Sequence, residues 1–168
     1  ESVELDSIDL GILDLLQDNC KQSLAHIGEK VGLKAPSVLE RIHKLEEAGV
    51  IRGYTALIDA RLLGKDVTAY IGVSLAHPRN IESFERQLVA VADVRESHHV
   101  TGQHTLMVKV KTANTASLER LIDWVRSIEG VTRTETSVVL STQREGLRVA
   151  LDLESTTHRE RGRRGHRG

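Results

Sequence analysis

Residues 32–51 read GLKAPSVLERIHKLEEAGVI, a glycine, a proline four residues on, a run with helical spacing, and a second glycine. Pro36 suits the first turn of a helix, where its missing N–H costs nothing. Ala35, Val38, Ile42 and Leu45 then mark one buried stripe, while Ser37, Glu40, Arg41 and Lys44 share another face. Gly49 closes the helix.

Upstream, Ser23 is a plausible cap for a short helix that turns Leu24, Ile27 and Val31 inward and ends at Gly32, a residue suited to a left-handed turn. Before it, Asp6 caps a first helix with Ile8, Ile12, Leu15 and Leu16 on one face, ending near Asn19. A short helix, a turn on VGLK and a longer helix with a polar outer face is a helix-turn-helix arrangement. Close crossing of its two helices needs a small residue on the inner face of the first, and Gly28 supplies it. Spacing alone leaves two uses open, reading DNA and mere packing of a helical hairpin.

After Gly49 the period changes. VIRGYTALID looks extended and DARLLGKD is a connector, so a hinge strand is expected here. Beyond it a repeat organises the chain: SFERQ (83–87) and SLERL (117–121) open two matching helices, followed by VADVRES and IEGVTRT. Strands are expected at 67–76, 94–101, 104–111 and 131–142. The order βαββαβ with right-handed crossovers gives a four-stranded antiparallel sheet with both helices on one face. The fold class is therefore α+β, a three-helix helix-turn-helix domain joined by a hinge strand to a ferredoxin-like domain. Phe84 and Trp124, on the two helices, are expected in the core.

Expected boundaries are 1–53 for the helical domain, 54–65 for hinge strand and linker, 66–142 for the ferredoxin-like domain and 143–168 for a C-terminal extension. The segment STTHRERGRRGHRG (155–168) carries five Arg against one Glu, so the net charge of −1 conceals 18 basic and 23 acidic groups in residues 1–154. Low in apolar groups, that basic tail is expected to be disordered. With 39% hydrophobic and 28% charged residues the chain reads as globular. It has neither a membrane-length apolar run nor a signal-like core, and the expected location is the cytoplasm, at the nucleoid.

Several chemistries find little foothold. Cys20 is the only cysteine, which excludes an internal disulfide or a cysteine-rich zinc site. Aromatics are 2% of the chain, too few for an RNA-stacking sheet. His98 and His99 are adjacent on a strand and point to opposite faces; His98 with His104 across the hairpin is the remaining metal pairing, and no metal site is expected. No G-x-S-x-G, phosphate-cradling loop or H-E-x-x-H occurs, so no catalytic residue and no cofactor are assigned. VTGQHT (100–105) is either a ligand-approach turn at Gly102 or simply a hairpin turn.

Taken in order, LDSIDLGILDLLQDN (5–19), VGLKAPSVLERIHKLEEAGVIRGYTALID (31–59), LLGKDVTAYIGVSL (62–75), VTGQHTLMVKV (100–110) and IEGVTRTETSVVLS (128–141) closely resemble the Lrp/AsnC, or feast/famine, regulator family. The likeness runs from about residue 4 to 142. It implies a plain or winged helix-turn-helix that binds double-stranded DNA, and a ferredoxin-like domain that senses amino acids and forms dimers assembling further, often into octamers. The opening stretch then becomes the recognition helix. Its DNA-facing set is Lys34, Ala35, Ser37, Glu40, Arg41 and Lys44, with Ser37, Glu40 and Arg41 nearest base edges and Lys34 and Lys44 on phosphates. Arg41 would suit guanine or sit in a surface ion pair; Glu40 would accept from cytosine or pair with Lys44.

The effector positions that the resemblance implies are His99, Thr101, Gly102, Thr105, Thr115 and Ser137. Three positions depart from the family pattern. Lys34 stands where the family favours Ser, Cys20 replaces an arginine, and Thr105 occupies the position of an acid in the turn between the second and third strands. A carboxylate there would partner an amino acid's ammonium, so Thr105 implies weak binding of ordinary amino acids or a different effector. Two rival uses of this architecture are a siroheme-decarboxylase-like enzyme and a DNA-compacting protein with little sequence choice.

Overall fold

The computed structural model describes residues 3–152, and the basic tail expected at 155–168 lies outside them. The chain forms two compact units: Glu1–Ala56 together with the segment from Gly146 on, and Leu57–Glu145.

The first unit holds three helices, α1 (Ser7–Asp18), α2 (Leu24–Val31) and α3 (Ala35–Glu47). Asp6 caps α1 by accepting from the Asp9 backbone N–H, and the Asp9 carboxylate accepts in return from the Asp6 N–H. This reciprocal cap satisfies donors that a helix N-terminus otherwise leaves unpaired. Ser23 caps α2, and Gly32 ends it at φ 76°. Lys34 opens α3 with no side-chain cap bond, as its replacement of a hydroxyl residue implies. Ile12, Ile27, Val38, Ile42 and Leu45 form the shared core.

Gly28 is required by contact. A Cβ there would lie 2.3 Å from the Leu33 carbonyl oxygen, a backbone atom that cannot rotate away. Gly28→Ala is expected to force α2 and α3 apart and to destabilise this unit by about 1 to 3 kcal/mol, the usual cost of overpacking. Thermal unfolding followed by circular dichroism checks it.

The second unit contains β1 (Val67–Leu75), α4 (Ile81–Val89), β2 (Val94–His99), β3 (Leu106–Thr112), α5 (Thr115–Ser127) and β4 (Val131–Val138). The sheet is antiparallel throughout, in the order β2-β3-β1-β4. Ala69, Ile71 and Val73 of β1 and Leu106, Val108 and Val110 of β3 pack under Phe84 and Leu88 of α4 and Leu118, Leu121 and Val125 of α5. Trp124 is half-buried against the same core. Strand alternation sends Tyr70, Gly72 and Ser74, with Met107, Lys109 and Lys111, to the helix-free face.

One expectation changes. Residues 52–59 join no helix or strand. The expected hinge strand has no ladder partner among the described residues, and a lone strand satisfies none of its backbone groups. After β4 the chain returns to the helical unit. Gln17 donates to the Val149 carbonyl at 3.0 Å and accepts from the Val149 N–H at 2.7 Å. Arg148 meets Asp14 at 2.6 Å and also pairs with Asp18. Residues 148 and 149 are thus fastened to α1.

Candidate DNA-binding and effector sites

On α3 the buried side is Val38, Ile42 and Leu45. At about 100° per residue, Glu40 lies about 170° from the centre of that stripe and Arg41 only about 70°. Ser37, Glu40 and Lys44 therefore form the outward ridge, and all three are exposed. Lys34 is exposed just before it, whereas Ala35 is half-buried. Glu40 and Lys44 pair at 2.8 Å, the outcome named above as the alternative to base contact. That pairing holds the Glu40 carboxyl below its ordinary value.

Arg41 sits in an ion pair, the alternative to guanine contact given above, and its partners are the two acids of the α1 cap. Its Nη1 donates to Asp6 Oδ2 at 2.7 Å and to Asp9 Oδ1 at 2.8 Å, and its side chain is 30% exposed. The reason is its angular position: a long side chain beside the buried stripe reaches the neighbouring helix before it reaches solvent.

The effector candidates divide into two groups. His99 ends β2, and Thr101, Gly102 (φ 110°) and Thr105 lie in the following turn. Thr105 is tied down there: its N–H donates to the Val73 carbonyl at 2.9 Å, and its hydroxyl accepts from the Leu75 N–H at 3.1 Å. Thr115 opens α5 beyond the other end of β3, which at about 3.4 Å per residue puts it roughly 20 Å away. Ser137 faces Tyr70, three positions along β1 from the Val73 that pairs with Leu106. One copy of the chain therefore does not bring all six within reach of one amino acid.

The helix-free face carries groups that residue spacing did not single out. Lys109 is 8% exposed and donates to Glu145 at 2.6 Å and Glu96 at 3.1 Å. Glu145 also accepts from Lys111 at 3.2 Å. A Cβ at Gly72 would fall 2.4 Å from the His104 ring, which packs flat over that glycine with Ser74 Oγ 3.4 Å from its Nδ1. His104 Nε2 lies 3.5 Å from Glu135, while His98 lies 3.3 Å from Glu96. No three metal-ligating side chains converge among the described residues.

Burial alone would raise the Glu96 carboxyl, but Lys109 and His98 outweigh it and hold it below its ordinary 4.5; Lys109 and Lys111 do the same for Glu145. A carboxyl depressed on folding contributes stability above its unfolded pKa and loses it as pH falls through its folded pKa. The second unit is therefore expected to hold its stability down to about pH 4.5 and to lose it progressively below. In Lys109→Met that acid-side decline becomes shallower, as urea midpoints measured between pH 7 and pH 3 will read.

Residues 5–46 match the AsnC-type helix-turn-helix domain, and residues 68–149 match the Lrp/AsnC ligand binding domain. The chain is also 40% identical over 135 residues to the leucine-responsive regulatory protein of Rhizobium meliloti, covering 79% of this chain and 83% of that one. The chain belongs to the Lrp/AsnC family.

Among solved structures, Escherichia coli AsnC superposes with a TM-score of 0.80 at 27% identity, covering 88% of this chain and 99% of that one. A transcriptional regulator of Neisseria meningitidis, solved as a complex with L-Met, superposes with a TM-score of 0.83 at 25% identity, covering 90% and 99%. Like other Lrp/AsnC proteins, this one is a transcription regulator that couples a DNA-binding domain to a ligand-binding domain. No helix among its described residues is long and apolar enough to cross a membrane.

Proposed function

We propose that this regulator binds a two-part duplex site through paired α3 helices, and that an amino acid or related small molecule tunes its assembly and thereby its grip on DNA. The observation that carries the reading is the ridge of Ser37, Glu40 and Lys44, exposed on a helix whose opposite side is sealed by Val38, Ile42 and Leu45. That ridge enters the major groove, with Ser37 and Glu40 nearest the bases and Lys34 and Lys44 on phosphates. In a dimer, two such helices meet half-sites roughly 34 to 36 Å apart.

Assembly is supported by the apolar segment beside the hinge. Leu57 is 78% exposed and Leu62 84%, with Ile58 and Leu63 also exposed. A run of this kind is the surface that a second copy covers. Assembly also bears on the effector. Thr115 and Ser137 lie too far from the Thr105 turn to share a ligand with it, so a neighbouring copy supplies them to a site completed at a subunit contact. The ligand then favours one arrangement of copies over another, and DNA affinity follows as a shift in populations.

The test is a selection of bound duplexes from random DNA, repeated with each amino acid present. A two-part motif bound far more tightly than random duplex supports the reading, since specific regulators commonly discriminate by about a thousandfold or more. A ratio near unity would instead favour compaction with little sequence choice.

A further inference from the structure

We propose that Arg41 is a positioning residue: it sets the pose of α3 by clamping it to the reciprocal cap of α1, and it touches no base. The inference rests on the DNA-binding reading above and names how that site is held in shape.

The clamp is a closed set of four bonds. Asp6 accepts the Asp9 N–H with Oδ1 at 2.8 Å and Arg41 with Oδ2 at 2.7 Å. Asp9 accepts the Asp6 N–H with Oδ2 at 3.1 Å and Arg41 with Oδ1 at 2.8 Å. Each carboxylate thus spends one oxygen on the helix cap and the other on the guanidinium. Asp9 is the more enclosed of the two acids, with 16% of its side chain exposed. To read guanine, Arg41 would have to leave two charge-assisted bonds that its own chain already provides. Those bonds also neutralise it, so it brings no net positive charge to a phosphate. What the bonds do fix is the angle at which α3 leaves the bundle. Interactions through a shared cap are geometric constraints, and a small tilt of a recognition helix displaces every contact on its ridge together.

The neutral double substitution Asp6→Asn with Asp9→Asn isolates the clamp, because asparagine caps a helix as well as aspartate does while carrying no charge. Arg41→Gln removes the other side, and Arg41→Lys keeps the charge without the planar fork. Affinities for the selected duplex and for random duplex are measured across a salt series, at temperatures well below each variant's melting midpoint.

The clamp predicts that Arg41→Gln and the double asparagine variant each lower the selected-to-random ratio by roughly tenfold, that combining them lowers it no further, and that base preference weakens evenly along the site. The slope of affinity against salt stays unchanged, and Arg41→Lys recovers part of the ratio. Loss of preference at a single base pair in Arg41→Gln overturns the clamp in favour of direct reading. So does a ratio that stays level or rises in the double asparagine variant, and a lowered melting midpoint with an unaltered ratio reduces Arg41 to a stabilising pair. If the unaltered protein selects no duplex at all, the DNA reading itself fails and this inference with it.

Discussion

Replacing Lys34 and Lys44 together by glutamine lowers affinity for the selected duplex by about ten- to a hundredfold per half-site at roughly 0.1 M salt, and flattens its salt dependence. Both lysines are exposed, Lys34 just before α3 and Lys44 on its outward ridge. Each phosphate contact releases about 0.9 of a counterion, so the two contacts on one helix are worth roughly sixtyfold at that salt and about two units of slope, and a duplex held by two paired helices loses both twice. The pairing of Lys44 with Glu40 does not prevent this, because both partners are solvated and the ammonium can turn to a phosphate at little cost. Glutamine is a good helix former, so circular dichroism should not change. Fluorescence anisotropy with a labelled duplex over a salt series reads both quantities. Equal slopes for variant and parent would remove these lysines from the interface.

Thr105→Asp raises affinity for free amino acids by about ten- to a hundredfold. A carboxylate facing an ammonium adds a charge-assisted hydrogen bond of roughly 1.5 to 3 kcal/mol where threonine offers a neutral hydroxyl. That hydroxyl is already occupied as the acceptor of the Leu75 N–H. An aspartate can take the same N–H with one oxygen and turn the other to the ligand, so the turn keeps its anchor. Calorimetric titration of both proteins with the twenty amino acids is the measurement. Low-micromolar binding of leucine or asparagine by the unaltered chain, or no gain in the variant, would contradict the role given to residue 105.

Much of the fold was legible because its signals are local. Asp6, Ser23, Gly32 and Gly49 punctuate the helices, and each stands at or beside a helix end in the structure. The matched SFERQ and SLERL segments located the sheet's two helices, and alternation separated core from open face. Gly28 was legible for a related reason, since a helix crossing this tight tolerates no Cβ. Strand ends were less so: β4 stops at Val138 rather than 142, where nothing in residue type marks the loss of its partner.

Long-range polar contacts were not legible at all. Nothing in the spacing of Arg41 links it to acids 35 and 32 residues away, nor Lys109 to Glu145, 36 residues on. Composition offered no hint that residues 148 and 149 return to α1. Such pairs are chosen by the folded surface, and a helical wheel shows only that a side chain lies near the edge of a buried stripe. The separation of Thr115 and Ser137 from the Thr105 turn was hidden for the same reason, since positions carried over by resemblance bring residue identities without distances.

The central claim is that α3 lies in the major groove of a two-part duplex site. Methylation interference at guanine N7, which lines that groove, tests it most directly on the selected duplex. The account predicts interference in two clusters about one helical turn apart, weakened in the Lys34 and Lys44 double variant. Tight binding with no N7 interference anywhere in the site would contradict it.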